Sequence, residues 1–487
     1  MHYARGFGIV AAALAHRPLV LAAATAVATG ALVCLVMLGG SPVIILLACI
    51  AGVFLLVQSP SAFALLAWML FALVPEASGD IKFSSGLSGL TYRSFAGPLD
   101  LADLVLGLGI LATLIVRPSA PIEFYRRHRM LVTAYAVFLG VVALSIAANG
   151  LVLRPTALKP LVYVPVAAIW GYGLATSPRV ATWVPPVLFV SAGISASLGL
   201  LNALGGTGVE FAGLHLAFKD RASVFLIVAA LLVLLQDVLR RGTLLRGGRT
   251  WPWAAYGILC AGAIALSLRR SMWMNLGVGI AFSLLIAARS NLRRTLTVMA
   301  GVGAILGLTT LGILARTGTL GTLASHAASL VNTLQGQGTE TSIADRLYEE
   351  VDAFRTARKT PILGGGPAAR YEPSFGYMPF LDTSYVHNNY LWLFLHYGLV
   401  GLFAYLFFLW QLLRALARAG PSEHHQSLGP AVSLGVLASL VGLVPALAAD
   451  SYLTATHRWP LIVGFLVGAA LGLGAAGRDT LDTEVSG

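Results

Sequence analysis

The chain has 487 residues, of which 57% are hydrophobic and only 11% charged, whereas an average soluble domain carries about 25% charged residues. With a mean hydropathy of +0.82 it cannot cover itself with polar surface, so an ordinary soluble fold is excluded and lipid must be its solvent. The net charge of +12 is explained by the basic cytoplasmic loops of a multi-pass protein; no basic patch interleaved with aromatics supports nucleic-acid binding.

The N-terminus, Met1 to Arg17, is basic and leads into an Ala-rich apolar stretch. The run 19–38 is long enough to span and no clear small-residue cleavage site follows it, so a retained first helix is expected rather than a signal peptide. Further spans are expected near 43–57, 62–75, 99–116, 131–148, 157–174, 184–204, 223–239, 253–268, 272–288, 296–314, 390–410, 428–448 and 459–476. The second and third are short against the roughly 17–25 residues a span needs, which brackets the number of helices at about 12–14. The class is therefore an all-α polytopic membrane protein, a single transmembrane domain over 1–487. Cys34, Cys49 and Cys260 all lie inside apolar runs and suggest packing rather than a metal site or disulfide framework.

The basic loops set the topology. With the N-terminus in the cytoplasm, Arg117 with Arg126, Arg127 and Arg129, then Arg240 with Arg241, Arg246 and Arg249, then Arg289 with Arg293 and Arg294, and finally Arg414 and Arg418, all fall on the inner side. The opposite side carries one long extramembrane segment, about 315–387, expected to form a subdomain inserted between helices. Within it Leu347, Val351 and Phe354 recur at helical spacing, Thr360-Pro361 ends that helix, and Gly364-Gly365-Gly366-Pro367 reads as a turn.

Three features on that outer side carry chemistry. Arg269 and Arg270 sit in a short turn between two spans, where basic pairs are not expected; they hold an anion there or snorkel to lipid phosphates. Arg346 lies on the loop helix with Glu349 and Glu350 at i+3 and i+4, so an ion pair explains it almost as well as a substrate does. His387, in Tyr385-Val386-His387-Asn388-Asn389-Tyr390, stands where the loop re-enters the membrane and suits a general base. Guanidinium groups present a planar fork to phosphate oxygens and stabilise charge developing on a departing pyrophosphate. Arg221, beside Lys219 and Asp220, is a further phosphate contact or a helix-end charge, and Tyr385 and Asn388 are candidate acceptor contacts. Glu372 and Asp382 read better as solvated loop carboxylates than as a glycosidase pair, and the Gly-rich turn lacks the Lys-Ser/Thr of a P-loop, so ATP is not implied.

Arg346, then Pro361-Ile362-Leu363-Gly364-Gly365-Gly366, His387-Asn388-Asn389-Tyr390 and Tyr397-Gly398-Leu399-Val400-Gly401 together resemble the O-antigen ligase and O-antigen polymerase superfamily. Leu266-Ser267-Leu268-Arg269-Arg270-Ser271 is similar to that family's Ser-Arg-Gly stretch ahead of a span, although two residues separate Ser267 from Arg270. The likeness covers roughly 255–410. It implies a C-type glycosyltransferase-like membrane fold in the bacterial inner membrane, with the site facing the periplasm. It also implies a glycan donor on undecaprenyl pyrophosphate, a glycan or glycolipid acceptor as in lipopolysaccharide biosynthesis, and a metal-independent, inverting transfer needing no cofactor. By the same resemblance Arg270 and Arg346 hold the pyrophosphate, assisted by Arg269 and Arg221, and His387 activates the acceptor. Ligase action is favoured slightly over a polymerase joining repeat units of O-antigen or exopolysaccharide. A lipid-linked glycan transporter would put charges deep in the spans of two matching halves, and neither is found. A cell-wall glycan polymerase of the shape-and-division type would need a catalytic acid, for which Asp382 is the neighbour of His387.

Overall fold

Hydrocarbon offers no partners to peptide groups, so apolar stretches must satisfy their own backbone hydrogen bonds as helices. The computed structural model describes residues 52, 54–74, 100–151, 155–206, 210–211, 214–215, 217–218, 220, 221–241, 250–267, 269–289, 291–317, 341–373, 383–420, 428–450, 452 and 458–485. In chain order the helices are α1 (Pro60–Leu73), α2 (Leu101–Val116), α3 (Ala120–Arg127), α4 (Arg129–Ala148), α5 (Pro155–Thr176), α6 (Val184–Leu204), α7 (Arg221–Arg241), α8 (Thr250–Ala265), α9 (Arg270–Ala288), α10 (Leu292–Thr317), α11 (Thr341–Ala357), α12 (Asn389–Ala419), α13 (Gly429–Ala446) and α14 (Arg458–Val485). A helix occupies every apolar segment expected from residue 62 onwards, while the span expected at 19–38 and most of that at 43–57 lie outside the described residues. Among the described residues eight helices are long and apolar enough to cross a membrane, and α2 with α3, bent by 88°, makes a possible ninth span. The chain is an all-α multi-pass membrane protein. One antiparallel pair of two-residue strands, β1 (Glu210–Phe211) and β2 (Leu214–His215), precedes α7.

Lipid supplies no hydrophobic force between helices, so close approach has to come from small side chains. The longest pairing is between α5 and α14. A Cβ on Gly468 would lie 1.8 Å from the Ala168 carbonyl oxygen, so only glycine lets these backbones touch. Trp68 of α1 stacks on Phe465 of α14 at 4.4 Å, and α13 packs against both α7 and α9.

The two ends of the bundle differ in chemistry. At one end Arg294 donates to the carbonyls of Arg240 (2.8 Å) and Val238 (3.0 Å), and Arg240 donates to that of Gly420. The end of α7, the start of α10 and the residue after α12 therefore meet here. The other end, some 30 Å away along α7 at 1.5 Å per residue, gathers the starts of α7, α9, α12 and α14 and the end of α13.

The inserted segment between α10 and α12 docks at this second end. Helix α11 forms where the spacing predicts it, but with its apolar stripe outward: Leu347, Val351 and Phe354 are exposed, and Glu349, Asp352, Ala353 and Ala357 are buried. On the inward face Glu349 accepts from the His387 N–H just before α12, and Asp352 pairs with Arg355 of its own helix. After it the chain turns at Pro361–Gly366 into a break in α12, where Gly398 adopts φ 67° and ψ −169°. The amides freed by that break bond across to the turn, Leu399 to the Pro361 carbonyl (2.8 Å) and Val400 to that of Ile362 (3.2 Å). In return Gly365 and Gly366 donate to the carbonyls of Leu395 and His396, each at 2.9 Å. Ser145 of α4 donates to the Leu363 carbonyl at 2.6 Å, so the turn is pinned from both sides.

Gly364 has φ +69°, and a Cβ there would lie 2.4 Å from the His396 carbonyl carbon. Gly364→Ala is expected to cost at least roughly 1–3 kcal/mol of strain. Its melting temperature in detergent should fall below wild type, and an unchanged melting curve would show that the turn is not seated in the α12 break.

Candidate active site

Asp450 follows α13 in a short turn, and its carboxylate is the meeting point of four elements. Arg221, the first residue of α7, places Nη2 at 2.5 Å from Oδ1. Arg269, which precedes α9, places Nη1 at 3.5 Å from Oδ2. Ser271 donates to Oδ2 at 3.4 Å and itself accepts from the Tyr452 hydroxyl at 2.8 Å. Tyr385 accepts from Arg221 at 2.7 Å and donates to Oδ1 at 3.5 Å. Arg221 also lies over the rings of Tyr385 and Tyr452, at 5.9 and 5.7 Å. Burial, and then the like charge of Arg221, pull Arg269 below its usual pKa against the counter-pull of Asp450. Burial pushes the Tyr385 and Tyr452 phenols up, so both stay protonated donors near neutrality.

His387 adjoins this cluster. Its ring meets that of Tyr385 edge-on, with centroids 4.9 Å apart. Nδ1 lies 2.9 and 3.1 Å from the two carboxylate oxygens of Glu349, and the His387 backbone N–H donates to Glu349 Oε1 at 2.5 Å. Arg346, one turn earlier on α11, is exposed and donates to the carbonyl of Ala449, the neighbour of Asp450, at 3.2 Å. Asn388 caps α12, its Oδ1 accepting from the amides of Tyr390 (3.1 Å) and Leu391 (3.2 Å). Burial raises the pKa of Glu350 against a hydrogen bond from Asn388.

The candidates chosen from sequence fall in different places. Arg221, Arg269 and Tyr385 share the Asp450 cluster, His387 adjoins it through Tyr385, Arg346 reaches the neighbouring Ala449 carbonyl, and Asn388 serves as the α12 cap. Of the basic pair, Arg269 is the residue bound to Asp450, while Arg270 is the partly buried first residue of α9. The Glu349 anticipated as an ion-pair partner for Arg346 turns to His387 instead. Glu372 pairs on the surface with Lys359 at 2.6 Å, as expected of a solvated loop carboxylate; Lys219 and Asp382 lie outside the described residues.

Sequence reasoning missed Asp450, Tyr452 and Ser271. The available signal was a lone acid, Asp450, in a short turn between two apolar spans on the same outer side as the unexplained arginines. It also missed Arg458, which is wholly buried and binds Asp220, Ser223 (2.8 Å) and the carbonyls of Phe71 and Ala72, tying together α1, α7 and α14.

An apolar cavity of about 270 Å³ begins beside the cluster, at Tyr452, Trp459 and Leu447. It continues between α4, α5, α12, α13 and α14, reaching Val467 on α14 and Leu412 on α12.

Residues 255–406 match the family described as O-antigen ligase. The match supports, over the stretch that carries the motifs, the resemblance to the O-antigen ligase and polymerase superfamily. It also supports an O-antigen ligase- or polymerase-type membrane function and a glycosyl-transferring activity. None of the curated proteins compared with the chain matches it. The O-antigen ligase segment contributes Arg269, Arg346, Glu349, Tyr385 and His387, whereas Arg221, Asp450, Tyr452 and Arg458 lie outside it. The charged cluster is thus assembled from both inside and outside the matched segment.

A buried pair broken on one side leaves an uncompensated charge, at about 3–5 kcal/mol. Arg458→Met should therefore melt well below wild type, and Arg458→Met with Asp220→Asn should recover much of the loss. Equal melting temperatures for the single and double variants would show that the pair is not coupled.

Proposed function

We propose that the chain transfers a glycan from undecaprenyl pyrophosphate to an acceptor hydroxyl, as an O-antigen ligase does, at the periplasmic face of a bacterial inner membrane. The observation that carries this reading is the gathering of Arg221 and Arg269 on one carboxylate, with His387 beside the same Tyr385 that accepts from Arg221. Permanent cations suit a diphosphate, because they need no reorganisation as charge grows on the departing group. In this reading the diphosphate exchanges with Asp450 for the two guanidinium groups, and Arg346 and Arg270 add charge at the rim. The first isoprene units of the polyprenyl tail lie in the apolar cavity that starts at Tyr452, and the rest of the tail extends into lipid. The imidazole of His387 takes the proton of the acceptor hydroxyl as the oxygen attacks the anomeric carbon. The C1–O bond to the diphosphate breaks on the opposite face, with inversion and without a metal ion. The described parts of the inserted segment, 341–373 and 383–387, form the periplasmic side of the site.

A polymerase would use the same chemistry with a second repeat unit as acceptor. Turnover of an undecaprenyl-pyrophosphate-linked glycan with candidate acceptors, by the purified full chain, tests both. His387→Ala should lower kcat by about 10²–10⁴, and Arg221→Ala or Arg269→Ala by about 10²–10³. Undiminished turnover by His387→Ala would remove the proposed base. A single added glycan marks a ligase, and a ladder of products a polymerase.

A further inference from the structure

We infer that Glu349 is a positioning residue that fixes the tautomer of His387, so that Nε2 is the nitrogen left to accept a proton. The inference deepens the reading of His387 as base and rests on it. A neutral imidazole carries one N–H, and the hydrogen bond made by one nitrogen decides which one bears it. Here Nδ1 faces only acceptor atoms of Glu349, at 2.9 Å from Oε2 and 3.1 Å from Oε1. A carboxylate can only accept, so the proton belongs on Nδ1 and the lone pair on Nε2. The carboxylate is itself held, because Oε1 accepts the His387 backbone N–H at 2.5 Å. Glu349 is 7% exposed against 26% for the imidazole, so the orienting partner is buried while the ring edge stays open. Glu349 sits on the inward face of α11, beside Ala353 and one turn from Arg346, so one helix carries both the ring's orienter and a candidate phosphate contact. Of the buried acids of α11, Glu349 thus has its partner in the histidine, whereas Asp352 pairs with Arg355 of the same helix.

The geometry singles out a variant that separates orientation from structure. In Glu349→Gln the amide oxygen has to remain on the His387 backbone N–H. That puts the amide nitrogen, a donor, at the nearer 2.9 Å position against Nδ1, with the amide oxygen at 3.1 Å. The nearer contact then favours the proton on Nε2, and a ring of unchanged shape and position loses its basic nitrogen. A merely structural role for Glu349 would tolerate Gln well.

The experiment uses the purified full chain in detergent, in two arms. In the first, turnover of an undecaprenyl-pyrophosphate-linked glycan by Glu349→Gln should fall about 100-fold or more in kcat, with KM for the donor within about twofold. On a His387→Ala background the same substitution should cost nothing further, since residues acting as a unit are not additive. In the second arm, diethyl pyrocarbonate modification of the His387 peptide is followed by mass spectrometry, with the other histidines as internal controls. Glu349→Gln, which favours the proton on Nε2, should slow its modification several-fold. A Gln variant with wild-type kcat, an additive double variant, or an unchanged modification rate in the Gln variant would each overturn the assignment. Slower modification in the Gln variant, with no turnover even by wild type, would leave the dyad intact and sink the glycosyl-transfer reading instead.

Discussion

The arrangement at this end of the bundle depends on one carboxylate. Asp450 holds Arg221 at 2.5 Å and Arg269 at 3.5 Å, and without an anion there two guanidinium groups would face each other in a partly desolvated turn region. Like charges at such range repel strongly when water is scarce. The depressed pKa of Arg269, caused by burial and then by Arg221, records that tension. An anion is thus a structural requirement of the site, which is why a site of this form suits an anionic group that comes and goes. Asp450 meets the requirement in this structure, and in the transfer proposed above a diphosphate would carry the charge to meet it.

The second constraint is mechanical. His387 is useful only if the segment bearing it and the helix bearing Glu349 hold a fixed relation to the bundle. The break at Gly398 provides that. It opens α12 so that two of its amides bond to the turn at Pro361–Gly366, and the turn returns two bonds to carbonyls before the break. The residues before the break, from Leu391 to Tyr397, are mostly buried, whereas Leu399, Val400 and Phe403 after it are exposed as a lipid-facing row would be. Gly398 therefore marks where α12 passes from packing with the inserted segment to packing with lipid, and the loop is anchored at that boundary.

Much of this was legible in the sequence, for physical reasons that differ by level. Apolar length specified the helices because lipid leaves the backbone no alternative, so each expected segment from residue 62 on is a helix. The basic loops specified which helix ends lie together, and Arg240 and Arg294 meet accordingly. Charged groups on the side expected to be outer pointed to Arg221, the pair Arg269 and Arg270 (with Arg270 taken as the main contact), Arg346 and His387, since charge near a membrane is costly unless used. What stayed hidden was pairing. Nothing local to Asp450 says that it meets Arg221, which precedes it by 229 positions in chain order. The inward face of α11 was not legible for a related reason. Periodicity reports which residues share a face, and in a soluble context the apolar face is buried, but next to lipid and a charged site that rule loses its sign.

Neighbouring residues show how far pairing, rather than residue type, separates scaffold from site. Asp220 and Arg221 are adjacent, and each enters an ion pair. Asp220 meets Arg458 with both side chains at 2% exposure or less, and that guanidinium is further occupied by Ser223 and two carbonyls of α1. Such a pair is closed: every donor has a protein acceptor, and its contribution is to keep helix ends in register. Arg221 meets Asp450 at 13% and 8% exposure, and Arg269 is 20% exposed. These groups remain more exposed, and the partner they share is one carboxylate, with the Tyr385 hydroxyl also on Arg221. In the transfer proposed above, a phosphate would compete with that carboxylate. The buried shell around Arg458 leaves no such opening, and on that reading one pair belongs to the scaffold and the other to the site.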